Sequence, residues 1–214
     1  VINITTGVNG IKTATALTGH ATSTINITGS GKVELQTTDV TAALLDASKV
    51  TGVVSSTGGL TSKLKAIKTG SADDALVFAG AGTIDIDTGK GNDKITLDDA
   101  TYTGHAVSIE GGDGTDTLVL TSASSAATSL VTGSGGSITL SGIETIQMID
   151  GATAIGIDGD LLHEATYGVE FTTAGADQDV TVTVKTADTA IDLSSLVGST
   201  SSASSVAAST FTTD

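Results

Sequence analysis

Three short stretches of the chain place glycines and an aspartate directly ahead of a strand-forming segment. They are TGSADDALVF at 69–78, TGKGNDKITL at 88–97 and GGDGTDTLVL at 111–120. Each has glycine at its second position and aspartate at its sixth. The aligned aspartates, which are 19 and 23 residues apart, are Asp74, Asp93 and Asp116.

Carboxylates beside glycine-rich turns have the chemistry needed to bind a hard cation such as calcium. Calcium takes six to eight oxygen ligands from carboxylates and backbone carbonyls. Glycine turns tightly and lets several carbonyls aim at one point. One turn supplies only half of such a cage, but turns stacked about 4.8 Å apart complete it. The sequence therefore predicts two interturn calcium sites, one between Asp74 and Asp93 and one between Asp93 and Asp116.

The elements that would position these turns are short strands with strict alternation. A repeat of about 20 residues is typical of a solenoid in which each repeat is one coil. Alternate residues of a strand point to the same side, so the apolar residues of each repeat form inward columns. The columns after the three turns contain Leu76, Phe78, Ile95, Leu97, Leu118 and Leu120. Return strands are predicted around Ile84, Ile86, Val107 and Ile109.

The sequence predicts a mostly β protein, a right-handed parallel β-helix or β-roll solenoid with one short capping helix. The helix is predicted because Val40, Ala43, Leu44 and Ala47 share a helical face, with Gly52 just past its end. The predicted parts are 1–36 as a strand-rich solenoid start, 37–52 as the helix, 53–198 as the β-solenoid with the aspartate turns at 69–120, and 199–214 as a Ser/Ala/Thr-rich linker or tail.

Weaker copies of the turn flank the centre. ITGSGKVEL at 27–35 has Val33 at the aspartate position, and TGSGGSITL at 132–140 has small polar residues there. GIETIQM at 142–148 is predicted to continue as strand. These turns are expected to keep the shape of the coil without the metal.

Composition excludes several classes of function. The formal net charge of the 214 residues is −15, with 9 basic residues and no basic stripe, so nucleic acid is not an expected partner. There is no cysteine, which removes disulfides and thiolate metal sites. No run approaches the length of a membrane span, so membrane insertion is not expected. The first residues lack the pattern of a secretory signal, which indicates a mature form, a fragment, or export without an N-terminal signal.

Each candidate residue also has a simpler interpretation. Asp-Gly loops between strands are common, but three turns in register with matching strands favour calcium. His20, His105 and His163 lie far apart in sequence without zinc-ligand spacing. There is no G-x-S-x-G motif and no phosphate-binding loop. The chain is therefore predicted not to be an enzyme.

The second and third turns resemble a known calcium pattern. GGDGTDTLV matches the G-G-x-G-x-D-x-U-x nonapeptide of RTX proteins, and TGKGNDKIT matches all but its first glycine. With its acidic, Thr/Ala/Gly-rich composition, the chain resembles RTX-type bacterial S-layer proteins and related secreted surface proteins. The resemblance implies calcium as the cofactor and a parallel β-roll. The implied metal ligands are Asp74, Asp93, Asp116 and Asp113, with carbonyls from Gly70, Gly89, Gly91, Gly112 and Gly114.

The expected function is structural: a component of a calcium-dependent extracellular surface layer or filament that assembles by subunit contacts. Its expected partner is itself, in a homo-oligomeric array, and its expected location is the cell surface. The alternative is a calcium-stabilised module of a secreted adhesin that binds cell-surface polysaccharide. An array protein should assemble when calcium is added, whereas an adhesin module should stay monomeric and bind glycan.

Overall fold

A computed structural model describes most of the chain up to residue 150 and five strand segments after it. The described residues are 1–13, 16–36, 40–61, 63–80, 82–98, 105–121, 128–130, 137–150, 154–158, 168–173, 179–184, 196–197 and 210–213. Within these residues the regular elements are β-strands, and the strand pairings are parallel. No described helix is long and apolar enough to cross a membrane.

Two long parallel sheets form the body of the protein. The first sheet runs in the order β1 (Ile2–Thr6), β4 (Thr24–Gly29), β7 (Leu44–Val50), β9 (Ala66–Lys68), β11 (Ile84–Asp87), β13 (Ala106–Glu110) and β16 (Ser137–Ser141). The second runs in the order β2 (Ile11–Thr13), β5 (Val33–Leu35), β8 (Val54–Ser56), β10 (Ala75–Phe78), β12 (Lys94–Asp98), β14 (Thr117–Thr121), β17 (Thr145–Asp150), β19 (Gly168–Thr173) and β21 (Leu196–Val197). From β7 to β14 the chain alternates directly between these sheets. The parallel pairing of successive coils makes the fold a β-solenoid and confirms the predicted class.

Two smaller sets of strands complete the described structure. A four-stranded parallel sheet contains β15 (Thr128–Leu130), β18 (Ala154–Asp158), β20 (Asp179–Val184) and β22 (Thr210–Thr213). A short pair is formed by β3 (Leu17–Thr18) and β6 (Val40–Thr41). Residues 199–209 of the predicted linker or tail lie outside the described residues. The end of that segment is a strand, since β22 pairs with β20.

Apolar columns fill the space between the two long sheets. In the second sheet Leu76, Ile95 and Leu118 are register partners in neighbouring strands, and each is fully buried. The column continues to Ile146 in β17. In the first sheet the predicted return strands are present, and Ile84 pairs with Val107. The period-2 pattern therefore predicted these columns correctly. Burying one such side chain fully contributes about 1.5–3 kcal/mol.

The predicted helix at 37–52 is wrong. The described part of this segment, from residue 40, contains β6 and most of it is β7, which pairs with β4 and β9. A register shift opposite Asn26 and Thr28 in β4 marks a bulge in β7. Two residues of the predicted helical face, Ala43 and Leu44, are only partly buried, and the buried apolar residues have spacings of 2, 3, 2 and 3. They are Val40, Ala42, Leu45, Ala47 and Val50.

Candidate metal centre: a buried aspartate column

The solenoid register brings the three predicted aspartates together. Ala75 pairs with Lys94, and Lys94 pairs with Thr117, so the residue before each pair occupies the same corner of successive coils. Those residues are Asp74, Asp93 and Asp116, which we call the aspartate column. Their exposed fractions are 2%, 1% and 0%. The prediction that stacked coils superimpose them is confirmed, and their burial is a feature that the sequence did not reveal.

One oxygen of each carboxylate closes a backbone hydrogen bond between coils. The Asp74 N–H donates to Asp93 Oδ1 at 2.7 Å, and the Asp93 N–H donates to Asp116 Oδ1 at 2.8 Å. Asp74 Oδ1 in turn accepts the N–H of Val54, one coil earlier, at 2.7 Å. Because the chain leaves the sheet at this corner, these N–H groups rely on side-chain acceptors in place of a strand partner.

The second carboxylate oxygens behave differently along the column. Asp74 Oδ2 accepts the N–H of Gly70 at 3.3 Å. Asp93 Oδ2 and Asp116 Oδ2 accept no hydrogen bond, and they are the only buried side-chain polar atoms without a partner in the described part of the chain. A buried polar group left unpaired costs about 1–3 kcal/mol, and more when it is charged. The burial of these two oxygens is therefore not compensated by any donor in the described part of the chain.

Burial raises the pKa of the three carboxyl groups in the aspartate column. Desolvation raises the pKa of Asp93 to about 7, and the charges of Asp74 and Asp116 add to the effect. Desolvation likewise raises the pKa of Asp74 and of Asp116, and for Asp116 the charge of Glu144 contributes. Without a compensating cation, ionising the column at neutral pH opposes folding.

Glu144 extends the column by one coil, and the sequence analysis missed it. The Asp116 N–H donates to Glu144 Oε2 at 2.6 Å. The sequence predicts a weak copy of the turn at 132–140, but the described end of this stretch belongs to β16 in the first sheet. The equivalent corner is 142–144, and Glu144 lies two residues before Ile146, as Asp116 does before Leu118. That spacing is the signal that would have found it.

The predicted glycines form the outer part of the turns. A Cβ on any of them would collide with a backbone carbonyl oxygen of the preceding coil. This holds for Gly70, Gly89, Gly91, Gly112 and Gly114. The carbonyls of Gly70 and Gly89 accept the N–H groups of Lys90 and Asp113, both at 2.9 Å. The turns are thus stacked so closely that their backbones pair directly, and the carbonyls of Gly70 and Gly89, which the resemblance implies as calcium ligands, accept backbone N–H groups here.

A second polar column lies one residue before the aspartates and runs in the opposite direction. The Asn92 N–H donates to Asp73 Oδ1 at 2.7 Å, and the Thr115 N–H donates to Asn92 Oδ1 at 2.9 Å. Here the later coil donates to the earlier one. The side chain of Asp113 is 74% exposed and pairs with Lys90 on the surface. As a result, Asp113 offers its carboxylate to solvent and not to the column.

The donors of the column fit a hard cation. They are carboxylate and carbonyl oxygens, the ligands that calcium takes. Among the described residues no three His, Cys, Asp or Glu side chains form a metal-holding group. A cation here would therefore take at most two carboxylates and complete its shell with carbonyl oxygens and water. Comparisons with protein-family models, with curated proteins and with solved structures find no match to this chain.

Proposed function

We propose that this chain is a structural β-solenoid that builds an extracellular surface layer or filament, and that calcium controls the folding of its aspartate turns. The observation that supports the proposal is the pair of buried, unpartnered carboxylate oxygens on Asp93 and Asp116. The nonapeptide resemblance of the same turns points to the same cation.

The physical basis of calcium control is the charge of the column. Two ionised carboxylates in neighbouring coils repel each other and are poorly solvated, so a divalent cation between them removes both penalties. Asp93 and Asp116 would hold it, together with turn carbonyls. A site between Asp74 and Asp93 is less well supported, because Asp74 Oδ2 already accepts the Gly70 N–H. An unfolded chain does not gather these oxygens, so the binding free energy becomes folding free energy.

Assembly into an array is supported by the distribution of charge on the outside. The chain carries a formal net charge of −15. Asp85 and Glu110 are exposed on strands of the first sheet, and Asp87 is half-buried beside Lys68. Such faces repel each other in the absence of cations. Calcium shared between subunits would offset this repulsion, so folding and assembly would respond to the same ion.

The test is a calcium titration of the EDTA-treated protein with two readouts in the same samples. Far-ultraviolet circular dichroism reports strand formation, and light scattering reports particle size. Magnesium at equal ionic strength is the control, because it prefers octahedral water-rich coordination. Strand signal that appears with calcium and is followed by large assemblies supports the proposal. A protein that is fully folded in EDTA and unchanged by calcium in both readouts contradicts it.

A second candidate, a glycan-binding adhesin module, is favoured by one cavity. It has a volume of about 310 Å³ and lies over the bulge in β7. Asn3, Asn26, Thr28, Asp46 and Lys49 line it with amide, hydroxyl, carboxylate and ammonium groups, which suit the hydroxyls of a sugar. A protein that stays monomeric in calcium and is retained on immobilised polysaccharide would favour this function over the array.

A further inference from the structure

The charged residues of the chain are ordered along the solenoid axis. Residues 1–68 contain six lysines and three acidic residues, whereas residues 69–150 contain two lysines and twelve acidic residues. Because the strands of the first sheet stack in chain order from β1 to β16, this order in the sequence becomes an order in space. The coils up to β9 therefore carry a net positive charge, and the coils from β11 to β17 carry a net negative charge.

The same order appears on the outer face of the first sheet, at the end where its strands lead into the aspartate turns. We call four residues there the charge strip: Lys49 in β7, Lys68 in β9, Asp87 in β11 and Glu110 in β13. Two positive charges are thus followed by two negative ones. Asp46, the register partner of Lys68 in β7, uses Oδ1 to accept the N–H and the hydroxyl of Ser48 at 3.0 and 2.6 Å.

The two outermost charges of the strip form no ion pair within the described part of the chain. Lys68 is paired with Asp87 at 2.7 Å, whereas Lys49 and Glu110 are exposed and unpaired there. Asp87 and Glu110 are register partners, and like charges directly opposite each other are unfavourable. The strip therefore has an unmatched positive charge at one end and an unmatched negative charge at the other.

A second copy of the chain matches this pattern when it runs antiparallel. A two-fold axis parallel to the strands and midway between β9 and β11 places β9 against the partner's β11, and β7 against the partner's β13. Lys49 then faces the partner's Glu110. It lies two register positions further along the strand than Glu110, an offset of about 7 Å that the four-carbon stem of lysine covers. Copies that run in the same direction would place like charges against each other.

We propose that the outer face of the first sheet is a contact surface for a second, antiparallel copy of this chain, held by ion pairs between Lys49 and the partner's Glu110. The inference rests on the proposed function, because it specifies one of the subunit contacts from which an array is built. Such a contact is isologous and closes on two copies, so the dimer is the unit that further contacts assemble.

The net charge of −15 does not prevent this contact. The positive and negative halves of the strip are centred two coils apart, which is about 10 Å. The Debye length at physiological ionic strength is about 8 Å. Charges elsewhere on the two copies are therefore largely screened from each other, and the local pattern of the strip decides the orientation.

The test is a charge exchange, followed as molecular mass by sedimentation velocity in millimolar calcium, with circular dichroism to check that each variant is folded. Lys49→Glu and Glu110→Lys each place like charges at both symmetry-related contacts, so each should weaken the dimer by at least about tenfold. The double variant Lys49→Glu/Glu110→Lys has the net charge of the wild type and restores opposite charges, so it should recover the dimer. Lys94→Glu is the matched control, because Lys94 is an exposed lysine on the second sheet. It should dimerise as the wild type does.

The outcomes separate this inference from the proposed function. If the wild type assembles and both single variants assemble equally well, the inference is wrong while the array stands. Calcium that bridged these faces would give that result, because Lys49→Glu adds a carboxylate to them. If the double variant does not recover the dimer, the pairing of Lys49 with the partner's Glu110 is wrong. If the wild type forms dimers that grow no further in calcium, the inference stands and the array fails. If it stays monomeric, both fail.

Discussion

Asp93→Asn should reverse its effect on stability when calcium is added. Asparagine keeps the Oδ1 atom that accepts the Asp74 N–H at 2.7 Å, has nearly the same size, and removes the charge between Asp74 and Asp116. In the calcium-free protein the change relieves a buried carboxylate. In the calcium-bound protein it removes a ligand. A substitution that acted only through packing would change the stability of the calcium-free and the calcium-bound protein in the same direction.

The magnitude follows from the pKa of Asp93. Burial raises that pKa from 3.8 to about 7, which corresponds to about 4 kcal/mol against the ionised form at 1.36 kcal/mol per pH unit. In D93N the amide NH₂ group takes the place of Oδ2, which has no hydrogen-bond partner. The buried amide N–H groups would therefore lack an acceptor, which costs about 1–3 kcal/mol. In EDTA at about pH 8, D93N should therefore be more stable than the wild type by about 1–3 kcal/mol.

Calcium should invert this order. An ion present at about 100 times its dissociation constant stabilises a one-site protein by about 2.7 kcal/mol. The wild type gains this contribution at Asp93, whereas D93N does not. At about 1,000 times the dissociation constant the contribution is about 4.1 kcal/mol, which exceeds the advantage of about 1–3 kcal/mol that D93N has in EDTA. At that calcium concentration the wild type should therefore be the more stable protein.

The assay is urea unfolding followed by far-ultraviolet circular dichroism, in EDTA and in calcium at equal ionic strength. Asp85→Asn is the control, because Asp85 is an exposed aspartate of the neighbouring strand β11. It should change little in either condition. The reasoning is refuted if D93N is no more stable than the wild type in EDTA, or if calcium stabilises both proteins equally.

Three further predictions concern pH, the turns and the core. In EDTA the raised pKa of Asp93 gives stability that is present below pH 3.8 and is lost as the pH rises through about 7. The free energy of unfolding should therefore be about 2–3 kcal/mol lower at pH 8 than at pH 5. A free energy of unfolding that does not change with pH would contradict this. In urea unfolding, Gly114→Ala should destabilise the protein more than Gly80→Ala does. Both glycines have a positive φ, which costs an alanine about 1–3 kcal/mol. Of the two, only an alanine at 114 would also place its Cβ against a carbonyl oxygen. Leu118→Ala should lower the free energy of unfolding by about 2–5 kcal/mol, because Leu118 is fully buried. Thr96 points away from the core, so Thr96→Ala should lower it by about 1 kcal/mol or less in the same assay. Equal losses for the two variants would contradict the assignment of Leu118 to the core side of the sheet and Thr96 to the outer side.

The fold could be predicted from the sequence wherever one rule governed each coil. Alternating apolar residues place Leu76, Ile95 and Leu118 in one column, and the same offset places their aspartates together. The helix prediction failed because the alternation changes phase twice, between Ala42 and Leu45 where the chain passes from β6 to β7, and at the bulge in β7. A bulge depends on the pairing partner, since it is defined by two residues opposite one. A single strand sequence does not contain that information.

The stacking of the aspartate column could be predicted from the sequence, but its burial and its hydrogen bonds could not. Sequence spacing located Asp93 and Asp116, while their burial and their hydrogen bonds to the preceding coil arise only when the coils stack. Glu144 was not predicted because its turn, 142–144, is three residues shorter than the turn at 111–116. The two turns therefore do not align in sequence, although the strands that follow them are in register. The strand after a turn is therefore a better guide to the column than the turn itself.

The neighbouring column shows that hydrogen bonding alone does not require a carboxylate. Asn92, one residue before Asp93, accepts an interturn N–H through its amide oxygen at 2.9 Å. An asparagine at 93 would serve the Asp74 N–H equally well and would avoid the penalty of a buried charge. The chain nevertheless has aspartate at three successive buried corners and glutamate at the fourth. The property that these residues share beyond their hydrogen bonds is negative charge, and the proposed cation between the coils would make such charge favourable there.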